Sequence, residues 1–240
     1  MSIFVDKRSR RWALSILILS LISGIIGNTV TGHDIAGGTI LILLLVGIPF
    51  GIEILRKHDP VHYYGLDFGT LRKIDLPLVL RWAFGIFIVI ALVDHFLFGL
   101  WEIILHEEGL AVGSTTTALA RSDWFFLGVV VIFSGTFLEE IWFRGMIQMK
   151  LSRLRALEKI NPHFAIFLQS TLFGLVHFLP IYFGTGLSLP VKVWFFVYPA
   201  LIGIVIGYLN ERYHSLWPGW IIHYTNNLMS LLLLALLFRI

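Results

Sequence analysis

The sequence predicts an all-α protein, a polytopic membrane helical bundle of about seven transmembrane helices. Three observations carry that prediction. Of the 240 residues, 57% are hydrophobic and 14% charged, against ~45–50% and ~25% in soluble domains. Mean hydropathy is +0.84. The apolar residues fall into runs close to the ~20 that cross a bilayer as a helix. This composition excludes a soluble globular enzyme, a disordered regulator and a nucleic-acid-binding domain, so no nucleic-acid partner is expected. The absence of cysteine removes thiolate zinc sites, iron–sulfur clusters, disulfides and cysteine nucleophiles.

The elements follow in order. Asp6-Lys7-Arg8-Ser9-Arg10-Arg11 precedes an apolar run from Trp12 to about Gly27. That run exceeds most signal-peptide cores, and Gly27-Asn28-Thr29 makes a poor cleavage site, so it reads as an uncleaved first span. A second span covers about Ile35 to Leu55. A polar segment, Arg56 to Asp75, follows; within it Leu66-Asp67-Phe68-Gly69 reads as an amphipathic surface loop. The third span covers Leu76 to Leu105, and the fourth Trp124 to Met149. Asn161-Pro162 supplies a cap and first-turn proline for a fifth span reaching Phe183. The sixth runs from Val193 to Leu209 and the seventh from Leu216 to Phe238. Trp12, Trp101, Trp124 and Trp217 sit near span ends, where tryptophan anchors the interface.

Basic residues orient the chain. The N-terminus, Arg56–Lys73, Lys150–Lys159 and Arg212 carry the Lys and Arg, while Asn28–Asp34, His106–Ser122 and Tyr182–Lys192 carry few. Basic loops stay cytoplasmic, which predicts an N-terminus inside and, for a multi-pass protein of this kind, a plasma-membrane location. No repeat or long linker divides the chain. Residues 1–240 read as one transmembrane domain, with 124–230 as its chemical core.

Ionisable residues inside spans are the informative ones, because a charge near the bilayer centre costs at least ~2.5–3.5 kcal/mol on insertion scales. They cluster in three helices: Glu139-Glu140 with Arg144, then Gln169, Ser170, Phe173 and His177, then His223 with Asn226-Asn227. Residues four apart share a helix face, so Glu140 can pair with Arg144. Glu139 is rotated ~100° away and has no basic partner in its own helix. A carboxylate so placed suits a general base or acid. His223 and Asn227 also share a face, as do Phe173 and His177. At 1.5 Å per residue, Glu139 lies ~15 Å, His177 ~20 Å and His223 ~10 Å from the cytoplasmic ends of their spans. Three helices thus bring Glu139, His177, His223 and Asn227 to compatible depths.

Blander readings exist for each residue alone. Glu140–Arg144 can simply lock a helix, and an intramembrane histidine can be a hydrogen-bonded core residue. Asp94, His95 and Glu102 in the third span can bond a neighbouring helix or line a cavity, and no spacing assigns them a reaction. There is no His-Glu-x-x-His, no Gly-x-Ser-x-Gly elbow and no phosphate loop. Two other functions remain open: a proton-coupled transporter using Glu139, Asp94 and the histidines as a relay, and a catalytically silent membrane scaffold or immunity protein.

Taken together, Glu139-Glu140-x-x-x-Arg144, Phe173-x-x-x-His177 and His223-x-x-x-Asn227 resemble the three-motif signature of the CPBP family, the CAAX prenyl endopeptidases and bacteriocin-processing enzymes also called the Abi family. The motifs occur in family order, each on its own span. The resemblance implies an intramembrane endopeptidase acting on a peptide or membrane-protein substrate, prenylated in some members. In it Glu139 would deprotonate a water also held by His177, while His223 and Asn227 would donate to the oxyanion; Glu140 and Arg144 would support them. Family naming as metalloproteases also implies zinc as an alternative, with Glu139, His177 and His223 as the ligand set. A metal-free glutamate mechanism is favoured, because Asn227 suits an oxyanion donor better than a zinc ligand.

Overall fold

A computed structural model describes residues 51, 53–56, 59, 63–66, 68–96, 125–152, 154, 161, 163–184 and 187–237. Among these, all regular structure is helical. A single turn, α1 (Phe68–Leu71), precedes α2 (Leu76–Phe96). α3 (Phe125–Glu140) passes without a break into a π-helix, Ile141–Gln148, and ends in the short α4 (Met149–Ser152). Three long helices follow: α5 (Phe164–Gly184), α6 (Leu189–Tyr213) and α7 (Trp217–Leu237). The expected first two spans, Glu102, Trp12, Trp101 and Trp124 lie outside the described residues.

Two of these helices, α2 and α6, are long and apolar enough to cross a membrane by length and composition. Only 11% of the apolar window in α2 and 28% of that in α6 is buried, so their apolar surface faces outward as well as inward. The core helix of a soluble protein would hide it. Trp82, Phe84, Ile88, Val89 and Leu92 are examples of this outward surface on α2.

The observed ends correct two expectations. The sixth span begins at Leu189 rather than Val193, because Pro190 occupies the first turn, where its missing N–H costs nothing. Lys192 then donates from Nζ to the Tyr182 carbonyl across the α5–α6 turn, at 2.9 Å. Trp217 does not face outward. It opens α7 inside the core, 7% exposed, with its ring edge-on to Trp220 at 5.4 Å. The expected cap at Asn161 is present, its side chain accepting from the His163 N–H at 2.7 Å.

Packing is led by the antiparallel pair α5 and α6. Glycines set their closeness: a Cβ on Gly174 would come 2.6 Å from the Phe196 carbonyl oxygen, and one on Gly203 3.0 Å from Ser170 Oγ. Small residues at such crossings let helix backbones approach, the principal route to tight packing in a bilayer. α7 lies against α2, α3 and α6, and the π-helix against α5. Asp94 of α2 accepts a 2.6 Å bond from Trp194 Nε1 of α6, so this carboxylate is a tie between helices. His95 packs its ring on Phe96.

The segment before α2 seals one end of the bundle. Tyr64 and Leu66 are buried in the same apolar cluster as Val79, Phe137, Ile206, Leu216 and Ile222. Leu66 therefore belongs to the core and not to a surface loop. Burial, with the Glu53 carboxylate second, pushes the Tyr64 phenol above the ordinary tyrosine range. Between the two side chains, Gly65 turns with φ +60°, and its carbonyl accepts from Ser215 Oγ at 2.6 Å and Thr70 Oγ1 at 2.9 Å. Ser215 Oγ also accepts from the Trp217 N–H at 3.2 Å, so this latch sets the start of α7.

Gly65→Ala tests the latch. A Cβ there would lie 2.7 Å from the Ser215 Cα, and a non-glycine residue at positive φ costs ~1–2 kcal/mol before any clash. Melting in detergent should fall by several degrees, at ~2–4 °C per kcal/mol for a chain of this size. An unchanged midpoint would show that the latch carries no stability.

Candidate active site

The site is built at the point where α3 becomes the π-helix. Glu139 and Glu140 are the last two residues of α3, and Arg144 lies one turn into the wider coil. The Met149 N–H reaches back to the Arg144 carbonyl, the five-residue spacing that defines a π turn. Glu140 and Arg144 both have fully buried side chains and form an ion pair, Arg144 Nη1 to Glu140 Oε1, at 3.0 Å. The guanidinium also stacks 4.3 Å above the Phe173 ring, which supplies an aromatic face for a desolvated cation.

Glu140 has a second task that spacing within one helix does not reveal. The same Oε1 atom lies 3.0 Å from His223 Nδ1 on α7. A carboxylate oxygen accepts, so Nδ1 carries the hydrogen. His177 on α5 is fixed likewise, with Nδ1 2.8 Å from the Phe173 carbonyl oxygen one turn earlier. Both imidazoles are thereby oriented, with Nε2 left facing inward. Phe173 stands between them, its ring centroid 4.5 Å from that of His177 and 5.6 Å from that of His223. The phenylalanine of the second motif is thus the common wall of Arg144 and the two histidines.

Glu139 faces the two free ring nitrogens. Its Oε2 lies 3.7 Å from His223 Nε2 and 3.9 Å from His177 Nε2. Oε2 is itself buried and has no hydrogen-bond partner, although the side chain as a whole is 40% exposed. These separations exceed a hydrogen bond, and polar atoms so spaced are commonly joined through water. One carboxylate oxygen and two oriented nitrogens converge on one spot, open on one side and walled by Phe173 on the other.

The fourth predicted residue stands apart. Asn227 is exposed on α7, and among the described residues it makes no hydrogen bond to the other three. Its neighbour Asn226 is the buried one, donating from Nδ2 to the Ile222 carbonyl at 3.0 Å and to the Ala83 carbonyl of α2 at 3.2 Å. Asn226 thus ties α7 to α2, while Asn227 takes the open side. Among the described residues, no group of three or more His, Asp or Glu side chains is arranged as a metal site.

Sequence reasoning missed the Glu140–His223 bond and the role of Phe173 as a shared wall. The signal for the second was the four-residue spacing from Phe173 to His177, which places the Phe173 carbonyl against the histidine ring.

No curated protein and no solved structure matches the chain. Residues 121–229, which hold Glu139, Glu140, Arg144, Phe173, His177, His223 and Asn227, match the family model described as type II CAAX prenyl endopeptidase Rce1-like, in keeping with the family that the three motifs resemble.

Proposed function

We propose that the protein is an intramembrane endopeptidase that cleaves a membrane-associated or prenylated peptide by glutamate-activated attack of water. The observation that carries this reading is the convergence of Glu139 Oε2 with His177 Nε2 and His223 Nε2, both rings anchored through Nδ1. In this reading a water sits between the three groups. Glu139 takes one proton from it, the resulting hydroxide attacks the scissile carbonyl carbon, and the negative charge moves to the carbonyl oxygen. Collapse of that tetrahedral intermediate breaks the C–N bond, and Glu139 returns its proton to the leaving amine.

Each ring has a role that follows from its anchor. His177, with Nδ1–H on the Phe173 carbonyl, offers a lone pair at Nε2 to accept a hydrogen bond from the water. His223 donates from Nε2 to the oxyanion only when it carries both ring hydrogens, and Glu140 at Nδ1 is the counter-charge for that form. Asn227 lies one turn beyond His223, with its amide exposed and free to donate to the same oxyanion. Such fixed donors are worth far more in a dry site than in water. In this reading the site lies toward the cytoplasmic half of the plasma membrane, the side that basic loops favour. No step needs a metal, and a chelator supplied in excess should leave cleavage unchanged. Loss of activity with recovery on adding zinc would overturn the metal-free route.

Two substitutions separate chemistry from folding. Glu139→Gln keeps the shape and removes the base, so cleavage should vanish while the melting temperature holds. Arg144→Ala strands Glu140 as an unpaired buried carboxylate, and breaking such a pair costs ~3–5 kcal/mol. It should lower melting and yield. Parent-level cleavage by Glu139→Gln would overturn the assignment of Glu139 as the base.

For Asn227, alanine should leave melting unchanged and reduce turnover by ~10²–10³, the typical loss for one oxyanion donor. Single-turnover kinetics on an internally quenched farnesylated peptide measures it, and full turnover in this variant would remove Asn227 from the site.

A further inference from the structure

The buried carboxylate that orients His223 has a second oxygen. Glu140 Oε2 is fully buried and has no hydrogen-bond partner. Asn210, near the end of α6 and 6% exposed, presents an equally unpartnered donor, Nδ2. Both atoms press on one point beside Gly219. A Cβ placed there would lie 2.5 Å from Asn210 Nδ2 and 2.7 Å from Glu140 Oε2. The other end of the same amide is occupied, since Asn210 Oδ1 accepts from the Gly219 N–H at 2.8 Å. That N–H is one of the first-turn donors of α7, which a helix cannot satisfy from within.

We propose that Asn210 is a positioning residue of the site: its Nδ2 donates to Glu140 Oε2 while its Oδ1 holds the Gly219 N–H, so that one amide fixes both the carboxylate and the helix that carries His223. A small rotation of the amide plane closes the donor onto the acceptor, which leaves neither buried group unsatisfied. An unpaired buried donor and acceptor side by side each carry a desolvation penalty, so this closure is favoured. Glycine at 219 is required because any side chain would wedge between the two atoms. The Asn210 backbone completes the clip: its carbonyl accepts from the Ser215 N–H at 3.1 Å, closing the α6–α7 turn. Asn210 touches no reacting atom. It acts through Glu140 on His223.

This inference rests on reading Glu139, Glu140 and His223 as the working site, and the experiment separates the two. Full-length parent, Asn210→Leu, Gly219→Ala and Glu139→Gln are compared in detergent. Turnover is measured on an internally quenched farnesylated peptide. The His223 ring is followed by nitrogen NMR of histidine-labelled protein, its signal assigned by loss in His223→Gln. Asn210→Leu should lower kcat about tenfold or more with KM within about twofold, as expected when the outer partner of an oriented histidine is lost. The His223 Nδ1 resonance should shift in the same sample. Gly219→Ala keeps the backbone N–H and wedges the contact apart, so it should reproduce both changes and replaces Asn210→Leu if that variant does not fold. Parent values for both kcat and the Nδ1 resonance in a folded variant overturn the proposal. So does a loss of activity that only tracks the loss of folded protein with the resonance unmoved. If Glu139→Gln cleaves like the parent, the assignment of Glu139 as the base fails while the Nδ1 shift still decides the role of Asn210.

Discussion

Everything in this site leans on one buried carboxylate. Glu140 has no exposed surface, yet a single oxygen of it meets both Arg144 and His223. A lone ion in such a place would be expensive to desolvate, and its attraction to one partner repays that only when the geometry is good and the remaining groups are satisfied. Here the same charge joins two helices, fixing a cation on the π-helix and an imidazole on α7. Glu139 can then remain half open, because its neighbour carries the structural load. The tandem glutamates divide labour by rotation alone: consecutive positions on a helix point ~100° apart, one into the core and one toward the histidines.

Phe173 is the apolar counterpart of that carboxylate. Its ring covers the Arg144 guanidinium and borders both imidazoles, while Phe143 packs edge-on against it at 4.9 Å. Three polar side chains therefore share one hydrophobic surface. Phe173 closes one side of them, while the Glu139 side chain stays 40% exposed on the other. α5 supplies this wall because its backbone is drawn against α6 at Gly174 and Gly203, so site shape is traceable to small residues a helix away.

The sequence was legible where the information lies within one helix. Four-residue spacing paired Glu140 with Arg144, and counting residues from the cytoplasmic span ends brought Glu139, His177 and His223 to compatible depths. Asn161 announced a helix start. What spacing cannot supply is the rotation of one helix relative to another. The bond from Glu140 to His223 depends on how α7 is turned about its axis, as does the division between buried Asn226 and exposed Asn227. Trp217 carried the signature of an interface anchor, yet a serine latch draws it inside. Asn210 resembles any polar residue near a helix end, and only the crossing of α3, α6 and α7 gives it neighbours. The change from α to π coil was likewise invisible, since Ile141–Gln148 has no proline, one glycine and no break in its apolar pattern.

That eight-residue π segment makes the site sensitive to chain length in a way that side-chain chemistry alone would not. The wider coil carries the chain from Glu140 to Gln148, whose amide donates to the Gly207 carbonyl at 3.0 Å, with Gly145 pressed against the Tyr64 ring between them. Removing one residue from this stretch would tighten it toward the ordinary helical pitch and swing every later position by roughly a quarter-turn. Gln148 would leave α6, and Gly145 would no longer meet Tyr64. Substitutions here face local tests of size and polarity, whereas a deletion confronts the whole interface at once. Among related sequences, an alignment gap between Glu140 and Gln148 should therefore be rarer than any change of residue type within it.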